Sequence, residues 1–223
     1  MSRHILLTTA DGHTCDAYLA TPNGETRGAL VVVQEIFGVN GHIRDVCDRL
    51  ADQGWTAIAP ALQDRIKPGT ELDYDEAGIA TGREMVEQLG WDGPMLDIAA
   101  AAEAVSPGKK VGVTGFCWGG SVTFLSACRV PAVGAAVGWY GRHIPQFVDT
   151  DSPQCPVMMH FGMDDPLIPA DNREAVAAAF PDITLHQYEG AGHGFNCDRR
   201  PDYREQASRL AWERSLAFFA EHL

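Results

Sequence analysis

The chain has 223 residues, 45% hydrophobic and 21% charged, the mixture of a folded globular protein rather than of a disordered or collagen-like one. Its 17 basic and 30 acidic residues leave a formal charge of −13, and a field of that sign repels nucleic acid and anionic membrane surfaces. No run approaches the about 20 apolar residues that a membrane-spanning helix needs.

A chain of this length suits one α/β domain over residues 1–223, with about 70% of the unfolded surface available for burial. No disulfide or metal staple is then required. The first residues lack the apolar core and small-residue cleavage site of a secretory leader. Cys15, Cys47, Cys117, Cys128, Cys155 and Cys197 form no C-x-x-C pair, so they read as reduced thiols and the expected location is cytoplasmic.

In chain order, residues 4–9 and 13–20 read as strands joined by an Asp11-Gly12 hairpin turn. Residues 28–34 hold Ala-Leu-Val-Val-Val, the continuous apolar run of a strand buried on both faces. Apolar positions 43, 46, 47 and 50 predict a helix over 43–53, closed by Gly54. Residues 55–60 predict a strand, and 61–74, with Pro68-Gly69 and mixed charge, an irregular surface loop. Helices are expected at 75–89 and 94–105, the second with Pro in its first turn. Beyond them come strand 110–114, helix 118–128, strands 133–140 and 156–161, helix 172–180, strand 183–188 and helix 203–222. Alternating strands and helices predict an α/β fold, a mostly parallel sheet covered on both faces with an antiparallel hairpin at its start. Ligands gather at the carboxyl ends of such strands.

Three segments at those ends could carry chemistry. Gly115-Phe116-Cys117-Trp118-Gly119-Gly120 joins a strand to a helix with the spacing of a nucleophile elbow, holding Cys where Ser is commoner. The turn sets the thiol at a helix N-terminus, which favours thiolate. Taken alone, the segment reads equally well as a Gly-rich turn around a structural Cys. Ala191-Gly192-His193-Gly194-Phe195 puts a His on a loop after a strand, the place for a general base or for an ordinary surface His. Phe161-Gly162-Met163-Asp164-Asp165-Pro166 offers a carboxylate to orient that His, or a plain Asp-Pro turn. Together they run Cys117, Asp165, His193, the triad order of α/β-hydrolases. In that fold the oxyanion is held by the N–H after the nucleophile, Trp118, and by one after the first buried strand, for which Ile36 is the candidate. Glu35, beside it, is an unexpected carboxylate at the end of an apolar strand.

With Gln34-Glu35-Ile36-Phe37-Gly38, the Cys elbow and Gly190-Ala191-Gly192-His193-Gly194-Phe195 in place, the chain resembles the dienelactone hydrolase (carboxymethylenebutenolidase) family over nearly its whole length. The resemblance implies an α/β-hydrolase fold, a Cys117–His193–Asp165 triad and a thioester intermediate. It selects Asp165 over Asp164 by its spacing to Pro169. Glu35 is implied to govern the thiol, which stays neutral until bound substrate brings the carboxylate to it. The implied substrate is a small ester or enol lactone, anionic where arginines bind its carboxylate, and Arg65 matches one such arginine. The other family arginine falls on Cys197, and the small hydroxyl residue beside the family His falls on Gly194; Arg199 or Arg200 would have to reach in instead. No cofactor or metal is implied, His193 and Cys197 lacking a third ligand at helical spacing, and the implied state is a monomer. The contrasting function is a thiol sensor or ligand-binding protein on the same scaffold.

Overall fold

A computed structural model describes residues 1–223. Eight strands form one sheet: β1 (Ser2–Thr8), β2 (Thr14–Ala20), β3 (Ala29–Val33), β4 (Thr56–Pro60), β5 (Val111–Phe116), β6 (Val133–Trp139), β7 (Val157–Gly162) and β8 (Thr184–Tyr188). Their spatial order is β1-β2-β4-β3-β5-β6-β7-β8. β2 runs antiparallel to both β1 and β4, and every later pairing is parallel. Every residue of β3, β5 and β7 is buried, which is why β3 reads as an unbroken apolar run rather than as an alternation.

Six helices cover the sheet: α1 (Gly41–Asp52), α2 (Glu76–Leu89), α3 (Asp92–Val105), α4 (Trp118–Arg129), α5 (Ala170–Ala179) and α6 (Glu205–His222). α1 shows how the sequence builds one. The Asn40 side chain accepts from the Ile43 N–H at its start, and Ile43, Val46, Cys47 and Leu50 turn inward, a stripe with helical spacing. Gly54, at φ +89°, lies just past the helix in a conformation that favours glycine. α1 and α6 share one face of the sheet, with Arg49 over the Trp212 ring; α3 and α4 pack together on the other.

The 61–74 segment departs from expectation. It opens with a 3-10 turn, Leu62–Arg65, and Leu62, Gln63 and Asp64 are buried rather than on the surface. Their polar groups are spent on backbone. Gln34 Oε1 accepts from the Leu62 N–H at 3.1 Å, Gln63 Nε2 donates to the Ile36 carbonyl at 2.8 Å, and Asp64 accepts from the Asp16 and Gly69 N–H groups. Polarity alone reads such residues as solvated, because their partners lie on distant strands.

Candidate active site

The strand β5 ends at Phe116 and α4 begins at Trp118, leaving Cys117 alone in the turn at φ +57°. This left-handed conformation is costly for a residue with a Cβ and is typical of functional turns. The flanking glycines make it feasible. A Cβ on Gly115 would strike the Gly119 carbonyl oxygen, and one on Gly119 would strike that of Gln34. The turn is pinned by the Cys117 N–H, which donates to the Trp139 carbonyl at 3.0 Å.

Three loops converge there. His193, on the loop after β8, lies with Nε2 3.1 Å from Cys117 Sγ and Nδ1 2.8 Å from Asp165 Oδ2. Asp165, on the loop after β7, is fixed in turn by the Leu167 N–H at 2.8 Å on its other oxygen. Burial works against a charge on His193, yet a Cys117 thiolate and the Asp165 carboxylate together outweigh it and raise the imidazole, so the ring is suited to hold a proton once the thiol has ionised.

Glu35 is fully buried behind this cluster. Its Oε2 accepts from the Tyr74 hydroxyl at 2.9 Å. Its Oε1 has no hydrogen bond and stands 3.6 Å from Arg200 Nη1. The Gln34 amide donates to the Glu35 carbonyl at 3.4 Å, which fixes the peptide plane shared with the Ile36 N–H. Cys117, His193, Ile36 and Trp118 open together on a cleft of about 580 Å³, a volume suited to a small organic ligand.

A model of the dienelactone hydrolase family matches residues 15–223. The chain belongs to that family. It is 34% identical over 230 residues to the carboxymethylenebutenolidase of Pseudomonas putida, covering 99% of this chain and 97% of that protein. A crystal structure from Klebsiella pneumoniae, provisionally named a dienelactone hydrolase, superposes with a TM-score of 0.85 at 31% identity, over all of both chains. A dienelactone hydrolase-like promiscuous phosphotriesterase from metagenomic libraries shares the fold, with a TM-score of 0.80 at 24% identity over 99% of this chain and 98% of that one. The α/β-hydrolase architecture, with its mostly parallel sheet and N-terminal antiparallel hairpin, is thus the family's own.

Two positions depart from what this family resemblance led one to expect. Arg65 does not line the cleft. Its Nε and Nη2 donate to the Asp97 carboxylate at 2.9 and 2.8 Å, and its Nη1 donates to Asp11 at 2.8 Å. Asp97 is fully buried on α3, and a carboxylate there demands a cation, so the guanidinium fork is already used. Arg199 is also spent, against Asp45 at the surface. Arg200 does face the cleft, and it lies over the Tyr74 ring at 5.7 Å. It passes directly above Gly194, where a Cβ would come 3.0 Å from Arg200 Nη1. With glycine at 194, no side chain beside His193 stands in the path of Arg200.

Sequence reasoning missed much of the rest of the cleft. Arg83 and Glu87 come from α2, Arg142 and His143 from the turn after β6, and Trp91 from the start of α3. Trp91 stacks on Trp118 at 6.1 Å. Burial, with help from Arg142, holds His143 down at about 4, so it meets a ligand as a neutral imidazole. None of these sits in a local motif; the Arg83/Glu87 spacing on a helix was the one available hint. Trp139 and Tyr140 are fully buried core aromatics rather than a pocket wall, although Tyr140 packs edge-on against His193 at 5.2 Å. His160 is structural, bonded to Ser215 and Tyr188.

Proposed function

We propose that this carboxylic ester hydrolase opens small, anionic enol lactones or activated esters through a thioester on Cys117. The supporting observation is the unbroken chain Cys117–His193–Asp165, with links of 3.1 and 2.8 Å, at the mouth of the cleft. In this reading a substrate carboxylate takes the Arg200 guanidinium and releases Glu35, which accepts the Cys117 proton. The thiolate attacks the carbonyl carbon, and the oxyanion is held by the Ile36 and Trp118 N–H groups, worth about 3–4 kcal/mol per donor. The carbon–oxygen bond breaks, and its electron pair leaves on the enolate oxygen. His193, oriented by Asp165, then takes a proton from water, and the hydroxide attacks the thioester. The thiolate departs and recovers its proton from Glu35, while the imidazolium protonates the enolate.

Three arginines against one glutamate line the cleft, Arg83, Arg142 and Arg200 with Glu87. They supply a local positive field in a chain whose net charge is −13. Arg200→Leu is expected to raise KM for esters bearing a free carboxylate by about ten- to a hundredfold, the value of a charge-assisted hydrogen bond. Matched neutral esters should change far less. Equal effects on both substrate sets would remove Arg200 from recognition. Intact-mass detection of an acyl adduct that disappears in Cys117→Ala tests the thioester directly; oxidation of Cys117 without any turnover would instead favour a thiol sensor.

A further inference from the structure

The Glu35 carboxylate is held unevenly. Oε2 accepts from the Tyr74 hydroxyl at 2.9 Å, while Oε1 has no hydrogen bond and stands 3.6 Å from the Arg200 guanidinium. Tyr74 closes the 61–74 segment, just before Asp75 caps α2, and the direction of its proton is fixed by its other neighbour. Asn40 caps α1 with its side-chain oxygen, which accepts from the Ile43 N–H at 3.3 Å. The Asn40 amide nitrogen is left to donate to the Tyr74 oxygen at 3.1 Å. A phenol has a single proton, so with Asn40 donating to the oxygen that proton goes to Glu35. It stays there, because burial and the Glu35 charge push the Tyr74 phenol far above its usual value. The ring is fixed as well, edge-on to Phe37 at 4.5 Å and beneath Arg200 at 5.7 Å.

We infer that Tyr74 is a positioning residue for the proposed reaction, a role that rests on Glu35 being its base: the hydroxyl pins Oε2 so that Oε1 is the oxygen that takes the Cys117 proton. A substrate carboxylate that draws Arg200 away leaves Oε1 bare. The Tyr74 bond keeps the Glu35 carboxylate from following the guanidinium, and from turning both oxygens to it in the two-pronged pairing that arginine favours. It also sets how readily Glu35 binds a proton, since a donor to the charged form of an acid favours that form. The step moves one proton. The S–H bond breaks, the sulfur keeps the electron pair, an O–H bond forms at Oε1, and Tyr74 keeps its own proton throughout. The other ionisable groups that face Glu35 are His42 on α1, Cys197 and Arg200 on the loop after β8, and Tyr140 after β6. Burial lowers His42 and raises Cys197 and Tyr140, so these three are uncharged near neutral pH.

Acylation is read as the first burst of nitrophenol from a nitrophenyl ester bearing a free carboxylate, at saturating substrate. Tyr74→Phe removes the donor and keeps the ring against Phe37 and Arg200. It is expected to slow the burst by about ten- to a hundredfold, the cost of a misplaced reacting group, and to move the acid limb of the rate–pH profile to higher pH. Fluorotyrosine at position 74, a stronger donor of nearly the same shape, should move that limb the opposite way. A Tyr74 that only packs would move it in neither case. Glu35→Gln tests the base itself. Acylation by Glu35→Gln at the wild-type rate would show that Glu35 is not the base, and the role of Tyr74 would go with it. A slow Glu35→Gln beside Tyr74→Phe and fluorotyrosine chains that match the wild type would keep the base and overturn Tyr74. With both roles in place, Tyr74→Phe adds no further loss to Glu35→Gln, because the hydroxyl acts through that carboxylate; losses that multiply in the double variant would also overturn it. Should Tyr74→Phe fail to fold, as judged by circular dichroism, the direction in which fluorotyrosine moves the limb decides alone.

Discussion

Cys117→Ala is expected to lower kcat/KM on a small aryl ester by roughly four orders of magnitude or more, since a nucleophile and its base act as a unit and losing one forfeits both. His193→Ala should fall to a similar level, and the double variant should be scarcely worse than either single one. The fold should survive. Alanine keeps the Cβ and leaves the φ of +57° at position 117 no more strained than before, and Cys117 is only half-buried. Steady-state hydrolysis at neutral pH, with a thermal melt beside it, measures both. A Cys117→Ala enzyme turning over at the wild-type rate would end the assignment of the nucleophile.

The largest effect on stability is expected at Arg65, away from the cleft. Arg65→Ala strands the fully buried Asp97 carboxylate, whose two oxygens accept from the guanidinium. Breaking a buried pair from one side costs about 3–5 kcal/mol, which urea denaturation would detect as a lower midpoint at an unchanged slope. Removing both partners, as Arg65→Leu with Asp97→Leu, should recover most of the loss, because no unpaired charge remains. Kinetics separate this from a recognition role. A structural Arg65 leaves KM for anionic and neutral esters in the same ratio, whereas a substrate-binding one would raise KM selectively for the anionic set without loss of stability.

These two residues mark how far the sequence could be read. The elbow was legible because its chemistry is local: glycines two positions either side of Cys117 relieve contacts that any such turn makes. The loop around His193 was legible for the same reason, and β3 and β5 declared themselves by composition. Arg65 was not legible, because whether a guanidinium is free depends on Asp11 and Asp97, far from it along the chain. Gln63 and Asp64 looked solvated for a like reason, their partners being backbone groups of other segments. That Tyr74 and Arg200 both reach the Glu35 carboxylate follows from where distant segments are set down, which no short-range pattern encodes.

The Arg200 guanidinium and the His193 imidazole ride on the same short stretch of chain after β8, with Gly194 between them at φ +84°. In the proposed reaction, grip on the acid and delivery of the proton thus share one mounting. A substrate that pulls on the guanidinium also tugs the ring, so a ligand seated out of register misaligns the base by the same motion. Selectivity in this enzyme should accordingly be felt in turnover as well as in affinity, and lengthening the stretch by a single residue should separate the two.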